Sequence, residues 1–222
     1  MTPQQSDNLS TLARLFPQLE REVKAYDEET GDAPAYAYTE RSPDSVTAGE
    51  FLREITHVIV AASLSSAAVQ SIEAAIAPYL DYAQPRLTAQ ERAQREAAVL
   101  ERFGHRAKVA GIFDAFDYVA QHGIDGVIDE LREKGPKSLQ RFKGIGPTSC
   151  RHLAKNLGYR TSMHDRHIER LAQAAGFDNA GQLPWAVLTS RLDAESVSWV
   201  EYVFWRYVTA LDGEAELHGA LA

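Results

Sequence analysis

Apolar residues recur at helical spacing through almost the whole chain, and strand-like alternation is nearly absent. Leu9, Leu12, Leu15, Phe16, Leu19 and Val23 mark one stripe, carried past Pro17. Thr47 is placed to cap a helix whose inner face is Phe51, Leu52, Ile55, Val58, Ile59 and Ala62. Further helices are expected over residues 67–82, from Thr88 to Arg102 with Glu91 completing a capping box, over 107–121, and over 124–133 beyond Gly123. The segment 195–211 holds so many large apolar residues that most of its circumference must be covered by other helices. Residues 27–46 are acidic and rich in Gly, Pro, Ser and Tyr, so they read as a surface loop. The fold class is all-α.

At 222 residues the chain can bury one large core or two smaller ones. No apolar run reaches the roughly 18 to 20 residues that cross a bilayer, and the first eight residues are polar, so no membrane partner and a cytoplasmic location are expected. Cys150 is the one cysteine, which excludes a disulfide or a cysteine-ligated cluster within one chain. It reads as a small buried residue.

The net charge of −8 argues against a protein that coats nucleic acid. Between Lys134 and Arg170, however, nine basic residues meet two acidic ones. That window carries +7 and leaves −15 on the rest. A basic face on an acidic body suits docking on a polyanion, and equally suits a pair of solvated basic helices.

The most informative stretch runs from Leu139 to Gly158. It reads as a short helix, a tight turn at Lys143-Gly144-Ile145-Gly146, and a second helix that starts at Pro147 and stops at Gly158. The glycines permit a sharp turn and a close approach by another backbone. Amides of the turn and of the first residues of the new helix, including Thr148 and Ser149, have no internal partner and suit a phosphate oxygen. Lys143 and Arg151 add charge, and Ile145 is expected to tuck inward. A structural corner between helices is the other reading of this piece. Seven residues past Gly158, Asp165 stands where an N-cap is expected, ahead of Ile168, Leu171 and Ala172.

Together, Lys143-Gly144-Ile145-Gly146 and Asp165-Arg166-His167-Ile168 resemble the signature of the helix-hairpin-helix DNA glycosylase superfamily, with the nearest likeness to archaeal-type 8-oxoguanine DNA glycosylases. The specific motif covers residues 139–171. Weaker likeness extends to the Phe51 helix, to the segment 102–108 and to the late aromatic helix.

The resemblance implies two helical lobes, with a barrel over 47–158 and a second lobe made of 9–46 and 159–222. Residues 1–8 would form a flexible N-terminus, and the cleft between the lobes would hold Asp165. It implies a monomer that binds double-stranded DNA carrying a damaged or modified base, extrudes the nucleotide and hydrolyses its N-glycosidic bond without metal or organic cofactor. Asp165 matches the family's carboxylate, and His164 is a further candidate in the cleft. His167 is expected to hold the turn by hydrogen bonds.

Three departures from the family stand out. Members that also nick DNA carry a lysine at the position of Thr148, and threonine cannot form a Schiff base. Base excision without strand cleavage is therefore expected. Lys155 lies about two helical turns away, roughly 10 Å, too far to substitute simply. Where relatives often place Gln or Asn facing the DNA, this chain has Ser63, Leu64, Ser65 and Ser66. Leu64 reads as a wedge or, more ordinarily, as core. The cysteine cluster of some relatives is missing. Trp199, Tyr202, Trp205 and Tyr207 are offered as a stacking wall for the base, although such a stripe is more often core. The competing functions are a glycosylase-fold protein that binds DNA without cutting it, and a lyase that uses another lysine.

Overall fold

The computed structural model describes residues 1–31, 42–159, 161, 165–183, 185–191 and 197–221. Among them there is no strand. The α-helices are α1 (Pro3–Thr30), α2 (Ala48–Ala61), α3 (Ser66–Ile76), α4 (Ala89–Phe103), α5 (Arg106–Lys134), α6 (Pro147–Asn156), α7 (Arg166–Ala174), α8 (Trp185–Arg191), α9 (Val197–Ala210) and α10 (Glu214–Leu221). No described helix is long and apolar enough to cross a membrane.

The helix starts follow from local chemistry. Thr2, Thr47 and Thr88 each accept a hydrogen bond from the third amide of their helix, while Gln5, Glu50 and Glu91 reach back to the cap backbone. Each such box satisfies two amides that the helix itself leaves open, and each cap contributes about 1 kcal/mol. The box at Thr2 makes residues 3–8 the first turns of α1, and Asn8 and Leu9 are already buried. The flexible start expected for residues 1–8 is thus replaced by helix. Residues 27–30 continue α1 instead of opening the loop, Pro43–Ser45 near its end form a 3-10 helix, and 32–41 lie outside the described residues.

The chain divides into two compact units, Met1–Arg41 with Arg160–Ala222, and Ser42–Tyr159. The boundaries fall within a few residues of those read from the sequence. In the hairpin unit, 42–159, α2 packs chiefly against α5. Phe51, Leu52, Ile55 and Ile59 meet Val109, Ile112, Phe113 and Phe116 in one continuous apolar core. Helix α5 breaks at Gly123, whose backbone leaves the helical region at φ 76°, so the single element contains the two helices expected around that residue. In the terminal unit, α1 packs on α9. Leu9, Leu12, Phe16 and Leu19 join Val200, Val203, Phe204 and Tyr207 in its core. Every residue from Ser198 to Phe204 is buried, as the density of that segment requires.

Candidate functional site

The hairpin corner is built on a tight turn. Ile145 N donates to the Phe142 carbonyl at 3.1 Å, and Gly144 in between has φ +88°. A residue with a Cβ is strained there, so this turn position demands glycine. The element before the turn is 3-10 helix, Pro136–Arg141, where a short helix was expected. Phe142 anchors the turn between Phe51 and Tyr118, at ring separations of 5.4 and 5.2 Å. Ile145 is 5% exposed and belongs to the core, as read from the sequence. Beneath the turn, a Cβ added at Gly111 of α5 would lie 2.3 Å from the Lys143 carbonyl oxygen. The helix and the turn therefore touch backbone to backbone.

Helix α6 begins at Pro147 with Gly146 as N-cap and no side-chain cap. The amides of Gly146, Thr148 and Ser149 have no acceptor among the described residues. Cys150 is buried, with its thiol 3.1 Å from the Pro147 carbonyl, which fits the small structural residue expected. Thr148 is exposed, Ser149 half-buried and Gly146 half-buried. Arg151, one turn into α6, is half-buried.

The basic window is less basic in three dimensions than in sequence. Lys143 Nζ is 2.6 Å from Asp114 Oδ2, Lys134 and Arg141 both meet Glu130, and Arg170 meets Glu214. These acids lie outside the window and offset part of its charge. The Lys143 pair is well exposed, so its hold is worth at most about 1 kcal/mol.

At the end of α2 the chain forms a fixed tip. Lys108 Nζ donates to the carbonyls of Val60 and Ala62 at 3.0 and 2.7 Å, which satisfies the end of the helix. Its burial there pushes the ammonium below the ordinary lysine range. Ser63 takes a left-handed backbone, φ 66°, and Leu64 N returns to the Ala61 carbonyl at 3.0 Å. Leu64 is 40% exposed, so the core reading of this residue is overturned. Its side chain has no place inside because α2 has already turned away. Lys108 lies one turn before Gly111 on α5, so the tip and the glycine corner hang from adjoining turns of the same two helices.

Asp165 is the N-cap of α7 in the terminal unit. Oδ1 accepts from the amides of His167 and Ile168 at 3.0 and 2.9 Å. Oδ2 accepts from the indole Nε1 of Trp205 at 2.7 Å. Capping thus occupies one oxygen only. A carboxylate has about four acceptor positions, so these three donors leave room for another. The carboxylate is half-buried. His164 lies outside the described residues. His167 bonds to the start of the helix through its amide, which donates to Asp165; its ring Nε2 accepts from Arg166 Nε at 3.1 Å, and its buried Nδ1 has no partner among the described residues.

Of the two readings of the aromatic stripe of α9, core is the one that holds for most of it: Trp199, Tyr202 and Tyr207 are core residues. The rings of Trp199 and Tyr202 stack at 5.6 Å, and Tyr202 and Trp205 follow at 6.2 Å. The polar tip of each ring reaches a carboxylate. Trp199 donates to Glu20, Tyr202 to buried Asp27 and Trp205 to Asp165. Only Trp205 is half-buried.

Sequence reasoning missed Lys108, Gly111, Asp114 and the donor role of Trp205. Gly111 did carry a signal, because a glycine inside a helical pattern marks close backbone approach. The others depend on contacts between distant segments. A cavity of about 710 Å³ opens beside the break in α5, near Arg86, His122 and Asp125, and none of the candidate residues lines it. No group of three or more His, Cys, Asp or Glu that could hold a metal occurs among the described residues. Neither a protein-family model, nor a curated protein, nor a solved structure matches the chain.

Proposed function

We propose that the protein is a monofunctional DNA glycosylase of helix-hairpin-helix type, which hydrolyses the N-glycosidic bond of a damaged or modified base. In this reading the corner at Gly144–Gly146 and the uncapped start of α6 hold a phosphate of the duplex. Leu64 enters the base stack as the target nucleotide leaves it. Asp165 acts at the sugar. As the bond to the base breaks, its electron pair departs with the base, and positive charge builds on the ring. The carboxylate stabilises that charge and takes a proton from the water that attacks the anomeric carbon. Thr148 offers no amine, so the sugar–phosphate chain stays intact.

The observation that carries the proposal is the division of labour on Asp165. One oxygen caps the helix, and the other lies outside the cap, held by a single indole. A residue that served only as a cap requires no such second contact. The reading also draws on the resemblance of residues 139–171 to the superfamily.

The test is a panel of duplexes, each with one lesion, under single-turnover conditions. Base release that gives strand breaks only after alkali is expected. Asp165→Asn should lower the rate by at least about 100-fold and leave duplex affinity within about twofold. Absence of release across the panel would favour a protein that binds without cutting. A covalent adduct trapped by borohydride would establish a lyase and refute the role given to Thr148.

A further inference from the structure

We infer that Trp205 is a positioning residue for the Asp165 carboxylate, an assignment that rests on the reading of Asp165 as the catalytic group. Trp205 Nε1 donates to Asp165 Oδ2 at 2.7 Å, a short contact for a neutral donor on a carboxylate. Oδ1 is fixed by two amides of α7. With both oxygens held, the carboxyl plane cannot rotate about its bond to Cβ. The direction of the remaining acceptor position is then set before any substrate arrives.

The indole is itself held from behind. Trp199, Tyr202 and Trp205 follow at intervals of three along α9. The first two rings are tied to α1, by Trp199 Nε1 to Glu20 Oε1 at 2.9 Å and by Tyr202 Oη to Asp27 Oδ2 at 2.8 Å. Asp27 is 2% exposed and is paired with Arg206 Nε at 2.8 Å. Tyr202 packs against the Trp205 ring. Two of the three donors thus join α9 to α1. The third leaves that pair of helices and ends on the candidate carboxylate. The same row of rings that stabilises the terminal unit therefore also orients Asp165.

Trp205→Phe keeps the ring and removes the N–H. A hydrogen bond to a charged group is worth enough that its loss should lower the single-turnover excision rate about 10- to 100-fold. Duplex affinity should stay within about twofold. Tyr207→Phe is the matched control, because Tyr207 on the same helix is a core residue whose hydroxyl donates to Glu216 and not to Asp165. It should melt at a similar temperature to Trp205→Phe and excise at the wild-type rate. Equal rates for Trp205→Phe and wild type would overturn the proposal, while base release by the wild type would leave the glycosylase reading standing. No base release by the wild type would defeat that reading and this role with it. The contact has its own readout in the full-length protein. The Trp205 indole ¹⁵N–¹H resonance, assigned by its loss in Trp205→Phe, should move in Asp165→Asn. A resonance that stays in place would show that the indole does not hold the carboxylate.

Discussion

The starts of α6 and α7 put the same local physics to opposite uses. Both present the positive end of a helix and a set of unpaired amides. At α7, Asp165 fills that end with its own carboxylate, and the field and amides of the helix fix an anion that belongs to the protein. At α6, Gly146 has no side chain and Pro147 has no N–H, so the end stays open to an anion from outside. The difference teaches that one residue at the N-cap decides whether a helix start holds a functional group or receives a ligand. The proposed glycosylase uses one of each.

The strongest way to break this comparison is to separate capping from charge at Asp165. Serine caps as well as aspartate but cannot also accept from the Trp205 indole, so Asp165→Ser should cost about 1–3 kcal/mol, nearly all of it from the lost indole bond. The same change should reduce base release by at least about 100-fold. A variant that melts far lower would show that the carboxylate is mainly structural.

A second change strikes beneath the open helix start. Gly111→Ala forces a Cβ into the Lys143 carbonyl, at 2.3 Å before relaxation. Overpacking of this kind costs about 1–3 kcal/mol. Thermal melting should fall accordingly, and duplex affinity should fall with it because the corner is displaced.

Gly146→Ala sharpens the contrast. Its φ of −91° suits alanine, and a Cβ there meets nothing within 4 Å. Alanine is a poorer N-cap than glycine, so stability should fall by about 0.5–1 kcal/mol. If the corner takes the phosphate as proposed, duplex affinity at fixed salt should drop about tenfold, since a methyl group would stand in its path. Unchanged affinity would remove the corner from the DNA interface.

The smallest effect belongs to the hairpin unit alone and reports on it separately. His57 Nδ1 lies 2.9 Å from Glu73 Oε1, joining α2 to α3. That hydrogen bond, against some desolvation, raises the imidazole above its ordinary value near 6.5. A raised folded value means the pair stabilises fully below about pH 6.5 and loses its effect as pH climbs through the folded value. The pair is over a third exposed, so solvent screening limits it to about 0.5 kcal/mol. The melting difference between wild type and Glu73→Gln should be largest near pH 6 and should fade above neutrality.

Much of this molecule was legible in one dimension. Helical spacing predicted the all-helical class because a 3.6-residue period admits no other regular element. The N-cap at Thr47 and the capping box at Thr88 marked helix starts to within a residue, since caps act over three positions. Ile145 was read as buried from the turn geometry around it, and Cys150 from the ordinary burial of a lone small thiol. The box at Thr2 was overlooked, and with it the order of residues 3–8, because Met1-Thr-Pro was read by polarity alone.

The sequence by itself therefore determined which segments are helices, how the corner at residues 143–147 turns, and that Asp165 stands at a helix start. Each of these depends on neighbours within about four residues. Only the tertiary structure decided that Leu64 stays outside the core, that Lys143 pairs with Asp114, and that an indole forty residues away holds the free oxygen of Asp165. Those outcomes depend on where whole helices pack, and a side chain's partner across such a contact leaves no periodic trace in the chain.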